Sequence, residues 1–129
     1  MVRAAEKAGR GLIRDFGEVD LLQVSRKGPG DFVSAADLKA EKTVKDELKK
    51  GRPEFGFLME ESGQTHGSDR THTWIVDPLD GTTNFAAGIP YWAISIARFT
   101  NGEPETAFLD IPALKKRIFA IKGKGVWLN

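Results

Sequence analysis

Two apolar runs of the sequence, 55–59 and 73–76, each lead into a pair of carboxylates: Glu60 and Glu61, then Asp77 and Asp80. Side chains at the ends of strands are held by a rigid sheet and yet face solvent, which suits a metal site. Hard oxygen ligands in a chain without cysteine favour magnesium over zinc or copper. The spacing therefore predicts that these carboxylates share a magnesium site.

Pro78 lies between the two aspartates and fixes the backbone there. We expect the segment 77–81 to turn sharply, so that Asp77, Asp80 and the carbonyl of Leu79 point at one place. From the residues alone, an ordinary turn and a metal site explain this segment about equally well. Asp80 alone is also a common helix N-cap, and Glu60 and Glu61 alone are more often a solvated strand end.

The next residues, Gly81, Thr82 and Thr83, are typical of a helix start. Free backbone N–H groups at such a start bind phosphate, and a glycine lets the phosphate approach closely. Metal ligands and an anion cradle would then lie side by side. This pairing is what phosphoryl transfer requires, because metals neutralise phosphate oxygens and activate water while amides hold the group.

The elements that position these residues follow from hydrophobic periodicity. Helical spacing predicts one helix over 2–16 and a second that begins at Ser34 and ends by Gly51. Ser34 and Asp37 have the form of a capping box, with Ser34 as the N-cap. We expect strands at 21–25, 55–59, 73–76, 91–100, 107–111, 117–121 and 126–128, and loops at 27–30 and 62–72. Two helices followed by a largely antiparallel sheet indicate a single α+β domain.

The composition of the chain argues against two classes of function, namely nucleic-acid and membrane binding. The 129 residues carry a formal net charge of +1, with 40% hydrophobic and 29% charged residues, as in an ordinary globular protein. We expect no direct nucleic-acid binding, because the charge is balanced, and no membrane association. The absence of an apolar leader predicts a cytoplasmic protein. His66 and His72 are expected to be exposed loop residues, and Trp74, Trp92 and Trp127 to pack in the core or at a sheet edge.

Four segments resemble the inositol monophosphatase family. The strings Glu60-Glu61-Ser62-Gly63 and Trp74-Ile-Val-Asp-Pro-Leu-Asp-Gly-Thr-Thr-Asn-Phe85 look like its first signature. The segments 31–37 and 123–129 are similar to the family's stretch before the second helix and to its lysine-glycine strand motif. The match runs in order along essentially the whole chain, and it implies the first half of a layered α/β sugar-phosphatase fold.

The resemblance implies a role for each matching residue. Glu61 would orient water at a further, weaker metal site, and Thr82 paired with Asp37 would activate the attacking water. Lys27 lies near a family lysine that borders the active site. The implied metal ligands are Glu60, Asp77, the Leu79 carbonyl and Asp80, and the implied substrate-binding residues are Asp80, Gly81, Thr82 and Thr83. Asp37 has a second explanation, since a capping box with Ser34 would account for it without catalysis.

The family has a second signature, a tryptophan-aspartate motif that completes its second metal site, and this sequence contains none. We therefore expect the carboxy-terminal half to be absent and the isolated chain to be weakly active or inactive. The implied activity is magnesium-dependent hydrolysis of a small phosphate monoester, with inositol monophosphate the leading substrate. The open alternatives are fructose bisphosphate, nucleotide 3′-phosphate or histidinol phosphate as substrate, or a non-catalytic partner of the transcription machinery. An exposed sheet face would make the chain a possible homo-oligomer.

Overall fold

A computed structural model describes residues 1–19 and 28–129 of the chain. Its helices are α1 (Val2–Gly17), α2 (Gly28–Gly51) and the short α3 (Thr82–Ala86), with a 3₁₀ turn at Pro112–Leu114. Its strands are β1 (Gly56–Met59), β2 (Gly63–Thr65), β3 (His72–Asp80), β4 (Ala93–Thr100), β5 (Glu103–Ile111), β6 (Lys116–Ile121) and β7 (Gly125–Leu128). None of the helices in the described ranges has the length and apolar character that crossing a bilayer demands.

The seven strands form one sheet in the order β2-β1-β3-β4-β5-β6-β7. Every neighbouring pair is antiparallel except β1 and β3, which run parallel with Met59 opposite Val76. The predicted α+β class and the largely antiparallel sheet are thereby confirmed. The parallel pair matters most for function, because parallel neighbours end at the same edge of a sheet.

The core lies between the two long helices and one face of the sheet. Helix α1 buries Leu12 and the small residues Ala4, Ala5 and Ala8, and the small residues let it pack closely against α2. The sheet contributes alternate residues of its central strands, including Trp74, Val76, Ile94, Ile96 and Phe108. This alternation is the pattern expected of a sheet with one covered face.

The other face of the sheet is not covered by any described residue. Ile75, Leu109 and Ile118 are half-buried there, and Val126 and Leu128 on the last strand are 68% and 65% exposed. Strand β7 is also an edge strand, because β6 is its single neighbour in the sheet. The described chain therefore combines an open apolar face with an unpaired strand edge.

Helix α2 begins earlier than Ser34, and the predicted capping box is wrong. Gly28 is its first residue, and a proline at the second helical position costs no hydrogen bond because first-turn N–H groups lack helical acceptors. Ser34 consequently lies in the interior of the helix, where it cannot act as an N-cap. The predicted loop at 27–30 is overturned for residues 28–30 for the same reason.

The segment 77–81 does not turn sharply at Pro78. Strand β3 continues through the proline to Asp80, with a register shift against β4 between Asp77 and Asp80. Proline is tolerated in a sheet at such an irregularity, because no regular ladder bond is lost. The change of direction comes one residue later, at Gly81.

Two further corrections concern the stretch predicted as a loop over 62–72. Residues 63–65 form β2, an edge strand too short to show a hydrophobic period. His66 is exposed, as predicted, but His72 is a half-buried strand residue stacked on Phe55, with ring centroids 4.6 Å apart, and its Nδ1 lies 2.8 Å from Asp69 Oδ2. The predicted strand at 21–25 and Lys27 lie outside the described residues.

The tryptophan predictions are confirmed. Trp74 and Trp92 are buried in the core, and Trp127 lies half-exposed on the edge strand β7. The remaining strands agree with the predicted ones to within a few residues at their ends, with β5 beginning earlier than expected, at Glu103 directly after the Asn101-Gly102 turn.

Candidate metal and phosphate site

The parallel pairing of β1 and β3 brings the first acidic pair to the second. The ladder continues past Met59 and Val76 with a bond from the Glu60 N–H to the Val76 carbonyl, 3.2 Å long. Glu60 and Asp77 are therefore neighbours, and their carboxyl groups share a hydrogen bond. That bond, followed by partial burial and the charges around it, raises the pKa of Glu60 to about 7.

Helix α2 adds a third carboxylate from the opposite side. Asp37 is only 5% exposed, and its Oδ1 is buried without a hydrogen-bond partner. Burial, a side-chain hydrogen bond with Glu61 and the nearby charges of Glu61, Glu60 and Asp77 raise the pKa of Asp37 to about 7. Carboxylate oxygens of Asp37, Glu60 and Glu61 all lie within 4.8 Å of one another.

This donor set fits a hard divalent cation. All of the side-chain donors are carboxylates, and magnesium and calcium prefer oxygen ligands. Negative charges so close to one another repel until protons or a cation neutralise them. This repulsion contributes to the raised pKa values of Asp37 and Glu60. The buried, unpartnered oxygen of Asp37 indicates the same need for a positive group.

Strand β3 positions the remaining predicted ligands. The Leu79 N–H donates to Asp77 Oδ1 over 3.1 Å, a local bond that fixes the Asp77 side chain at the start of the irregular segment. The Leu79 side chain is buried and anchors the segment in the core. Asp80 is exposed at the end of the strand, close enough for its charge to contribute to the raised pKa of Glu60.

Gly81 makes the sharp change of direction from β3 into α3. Its φ is +88°, and a Cβ there would lie 3.1 Å from the Tyr91 carbonyl oxygen and 3.3 Å from the Trp92 Cα. Both the left-handed conformation and the close approach of backbone require glycine. The first bond of the helix runs from the Phe85 N–H to the Gly81 carbonyl, which leaves the amides of Thr82 and Thr83 without helical acceptors.

An aromatic cluster fixes the short helix. The Phe85 ring is fully buried and lies 5.4 Å from the Phe16 ring and 5.1 Å from the Trp92 ring, centroid to centroid. A helix of five residues has little stability of its own, so tertiary packing must hold it. The threonines beside Asp80 are thus carried on an element anchored by α1 and β4.

The structure brings together most of the predicted site residues, but not every predicted pair. Glu60, Glu61, Asp77 and Asp37 converge, Asp80 is the last residue of β3, and Gly81 follows it. Among the described residues, no hydrogen bond joins the Thr82 hydroxyl to Asp37. Lys27 lies outside the described residues.

One residue of the site was not found from the sequence. Glu41 is 4% exposed, and its two carboxylate oxygens accept hydrogen bonds from the Glu61 N–H (2.8 Å) and the Ser62 N–H (3.0 Å). The sequence does contain a pattern that indicates Glu41: Asp37 and Glu41 stand four residues apart on the helix face that also carries Ala40 and Val44. Two acidic residues in an otherwise apolar helical stripe indicate buried carboxylates with partners.

Comparisons with known proteins identify the family of the chain. The family model described as "Inositol monophosphatase family" matches residues 1–129. The chain belongs to the inositol monophosphatase family. An inositol-1-monophosphatase of Mesorhizobium japonicum is 55% identical over 129 residues, covering 100% of this chain and 48% of that protein. The Nus factor SuhB of Escherichia coli K12 is 39% identical over 128 residues, covering 99% of this chain and 48% of that protein.

A solved structure shows the same fold. The crystal structure of the extragenic suppressor protein SuhB of Bartonella henselae superimposes with a TM-score of 0.88 at 54% identity, over 100% of this chain and 50% of that one. The resemblance stated from the sequence is thereby confirmed for the family and the fold. The chain spans about half the length of the curated relatives it matches.

Proposed function

We propose that this chain carries the metal- and phosphate-binding part of a magnesium-dependent phosphomonoesterase, with inositol monophosphate as the leading substrate. The observation that carries the proposal is the convergence of Glu60 and Asp77 with Asp37 and Glu61 at one edge of the sheet. Membership of a phosphatase family supports the reaction class, and the relatives named inositol-1-monophosphatase favour the substrate.

In this proposal the metal is held by Glu60, Asp77, the Leu79 carbonyl and Asp80. When bound, magnesium supplies positive charge that neutralises phosphate oxygens and lowers the pKa of water. The carboxylate of Glu61, beside Asp37, orients water at a further, weaker site.

The chain's own residues supply the positioning and the proton transfer. The amides of Gly81, Thr82 and Thr83 bind the phosphate oxygens, aided by the close backbone approach that Gly81 permits. The Thr82 hydroxyl and Asp37 together take the proton from the attacking water. This role requires the Thr82 hydroxyl to reach the Asp37 carboxylate once substrate is present.

We expect the 129 residues alone to hydrolyse phosphate monoesters poorly or not at all. The chain covers about half the length of its relatives and contains no tryptophan-aspartate motif, whose aspartate the resemblance assigns to the second metal site. A metal site without one of its ligands binds the metal more weakly and accelerates the reaction less. Hydrolysis of phosphate monoesters is among the slowest uncatalysed reactions, and enzymes accelerate it by up to roughly 10²¹-fold. Metal binding is therefore the more sensitive test of the site than turnover.

The test combines a magnesium titration with phosphate release. Calorimetry and thermal shift should show saturable magnesium binding to the wild-type chain, weakened by Asp80→Asn. Glu103→Gln is the matched control, because Glu103 is an exposed carboxylate at the far end of the sheet. Phosphate release should be assayed with inositol monophosphate, fructose bisphosphate, a nucleotide 3′-phosphate and histidinol phosphate. No magnesium binding and no phosphate release in any arm would refute the proposal.

A second candidate is a non-catalytic partner of the transcription machinery. The observation in its favour is the 39% identity to a relative named Nus factor SuhB. The same assays separate the two candidates, because an interaction role needs neither magnesium nor Asp80. Turnover abolished by Asp80→Asn would favour the enzyme, and its absence in both forms together with no magnesium binding would favour the interaction role.

A further inference from the structure

Glu41 makes an unusual connection between the middle of helix α2 and the turn that follows β1. The turn consists of Glu60, Glu61 and Ser62, between strands whose last and first residues, Met59 and Gly63, are paired. Both oxygens of the Glu41 carboxylate are used, one by each of two consecutive amides. A carboxylate this deeply buried is costly unless hydrogen bonds replace its water, and these two bonds do so.

The three amides of the turn are all held, and from two sides. The Glu60 N–H bonds to β3 through the Val76 carbonyl, while the next two N–H groups bond to Glu41. This leaves the backbone of the turn little freedom to rotate. The directions in which the Glu60 and Glu61 side chains leave the backbone are fixed as a result.

Those directions are electrostatically unfavourable in the absence of a cation. The Glu60 carboxyl lies beside Asp77, and the Glu61 carboxyl lies beside Asp37. A turn free to relax would separate like charges, since exposed glutamates have ample rotamer and backbone freedom. A rigid clamp on the backbone prevents this relaxation.

We propose that Glu41 is a positioning residue for the metal centre: it clamps the turn after β1 so that Glu60 and Glu61 face Asp77 and Asp37 before a cation binds. The proposal rests on the proposed function, because it assigns this preorganisation to magnesium binding. Glu41 itself is not a ligand in it, since both of its oxygens are occupied by backbone amides. Asp37 and Glu41 stand one helical turn apart, so one rigid helix fixes the positions of both the Asp37 carboxyl and the Glu41 carboxylate that holds the turn.

A merely structural role is the alternative, in which Glu41 fastens the β1–β2 hairpin to the helix and nothing more. Helix α2 offers a matched control for this in Glu47. Glu47 is a half-buried residue whose carboxylate accepts hydrogen bonds from Lys7 (2.6 Å) and Lys50 (2.8 Å), but it contacts no residue of the site. Glu41→Gln and Glu47→Gln therefore make the same chemical change on the same helix.

The experiment measures magnesium affinity by calorimetry, melting temperature, and amide hydrogen exchange without metal, all on the 129-residue chain. In Glu41→Gln the new NH₂ group would face an N–H of the turn, so one bond must break. We expect the magnesium dissociation constant to rise about tenfold or more, as for other residues that orient metal ligands. The amides of Glu61 and Ser62 should also lose protection. Glu47→Gln should lower the melting temperature while leaving the magnesium affinity unchanged.

The proposal is overturned if folded Glu41→Gln binds magnesium within twofold of the wild type. It is equally overturned if the Glu61 and Ser62 amides keep their protection in the metal-free variant. Should Glu41→Gln fail to fold, Glu41→Asp takes its place, because it keeps the charge and withdraws the carboxylate by one methylene. A wild-type chain that binds no magnesium would refute the proposed function, and the metal-free exchange result would then decide on the clamp.

Discussion

At the scale of single residues, the site places acids together that would ionise easily if apart. The hydrogen bond that the protonated Glu60 carboxyl donates to Asp77 is the main cause of the raised pKa of Glu60, and burial is the main cause for Asp37; each pKa is raised to about 7. Groups perturbed in this way cluster at functional sites, where their strain is relieved by a ligand. The acids therefore couple proton binding to stability, and in the proposed function they also couple both to metal binding.

The first prediction concerns stability against pH without metal. In the unfolded chain both acids return to a pKa of about 4, so the folded chain binds more protons between about pH 4 and 7. Stability from these groups is complete below that window and is lost as pH rises through it. In EDTA the melting temperature should fall between pH 5 and pH 8, and magnesium should restore it more strongly at pH 8.

The control for this prediction is the double variant Asp37→Asn, Glu60→Gln. In this variant the melting temperature in EDTA should change little between pH 5 and pH 8, and magnesium should raise it much less than in the wild type. Acids with a lowered pKa, such as Asp46 and Glu105, change the stability only below about pH 4.5, so they do not mask the fall in melting temperature above pH 5. A melting temperature that rises from pH 5 to pH 8 in EDTA would contradict the interpretation.

The acidic residues that the structure brings together could be predicted from the sequence because they follow apolar runs directly along the chain. Glu60 and Asp77 needed no knowledge of the fold beyond the expectation that strand ends lie near one another. Glu41 could not be found in this way, because its partners are the backbone amides of residues 20 and 21 positions away. A side chain that binds backbone leaves no pattern at its partners, since every residue type carries an N–H.

At the scale of elements, the junction of β3 and α3 sets the angle between the proposed metal ligands on β3 and the threonines at the start of α3. The sequence predicted a turn at Pro78, where proline and two aspartates are all turn formers. Tertiary pairing overrode that local preference, because β4 offers a partner to β3 as far as Asp80. Helix α2 also extends backwards through Gly30 to Gly28, which no local signal predicts.

The second prediction, at the scale of elements, tests this junction through Gly81→Ala. A left-handed conformation costs a residue with a side chain roughly 1–2 kcal/mol, and contact with the Tyr91 carbonyl adds to that cost. We expect the free energy of unfolding, measured with urea, to fall by at least about 1–2 kcal/mol.

Gly11→Ala is the matched control for that measurement. Gly11 is in the interior of α1, and the nearest atom to an added Cβ is the flexible end of Arg14, 3.9 Å away. We expect this change to raise the free energy of unfolding by about 0.5–1 kcal/mol. A Gly81→Ala chain as stable as the wild type would show that the turn can adopt another conformation.

At the scale of the whole molecule, two helices cover only one face of a seven-stranded sheet. On the open face, Leu58 and Val126 remain exposed, and the edge strand β7 carries no lysine or proline to block pairing. Apolar faces with an unpaired edge favour association. The family resemblance predicted an exposed apolar sheet face, although it could not show that β7 would be the edge.

The whole-molecule prediction is that the 129 residues alone self-associate. Sedimentation should show the mean mass rising with concentration, and Val126→Lys should shift the rise to higher concentration by charging the edge. Gln64→Lys, an exposed change on the opposite edge strand β2, should have little effect. A monomer at all concentrations would contradict the prediction.

The parallel pair within an otherwise antiparallel sheet has a consequence for how such a chain can vary. Removing one residue from β1 or β3 would shift its terminal acid by about 3.3 Å and turn it to the reverse side of the sheet. Lengthening the hairpin at Asn101-Gly102, at the far end of β4, moves neither acid. Insertions and deletions should therefore be tolerated at that remote hairpin and eliminated from the two strands that carry Glu60 and Asp77.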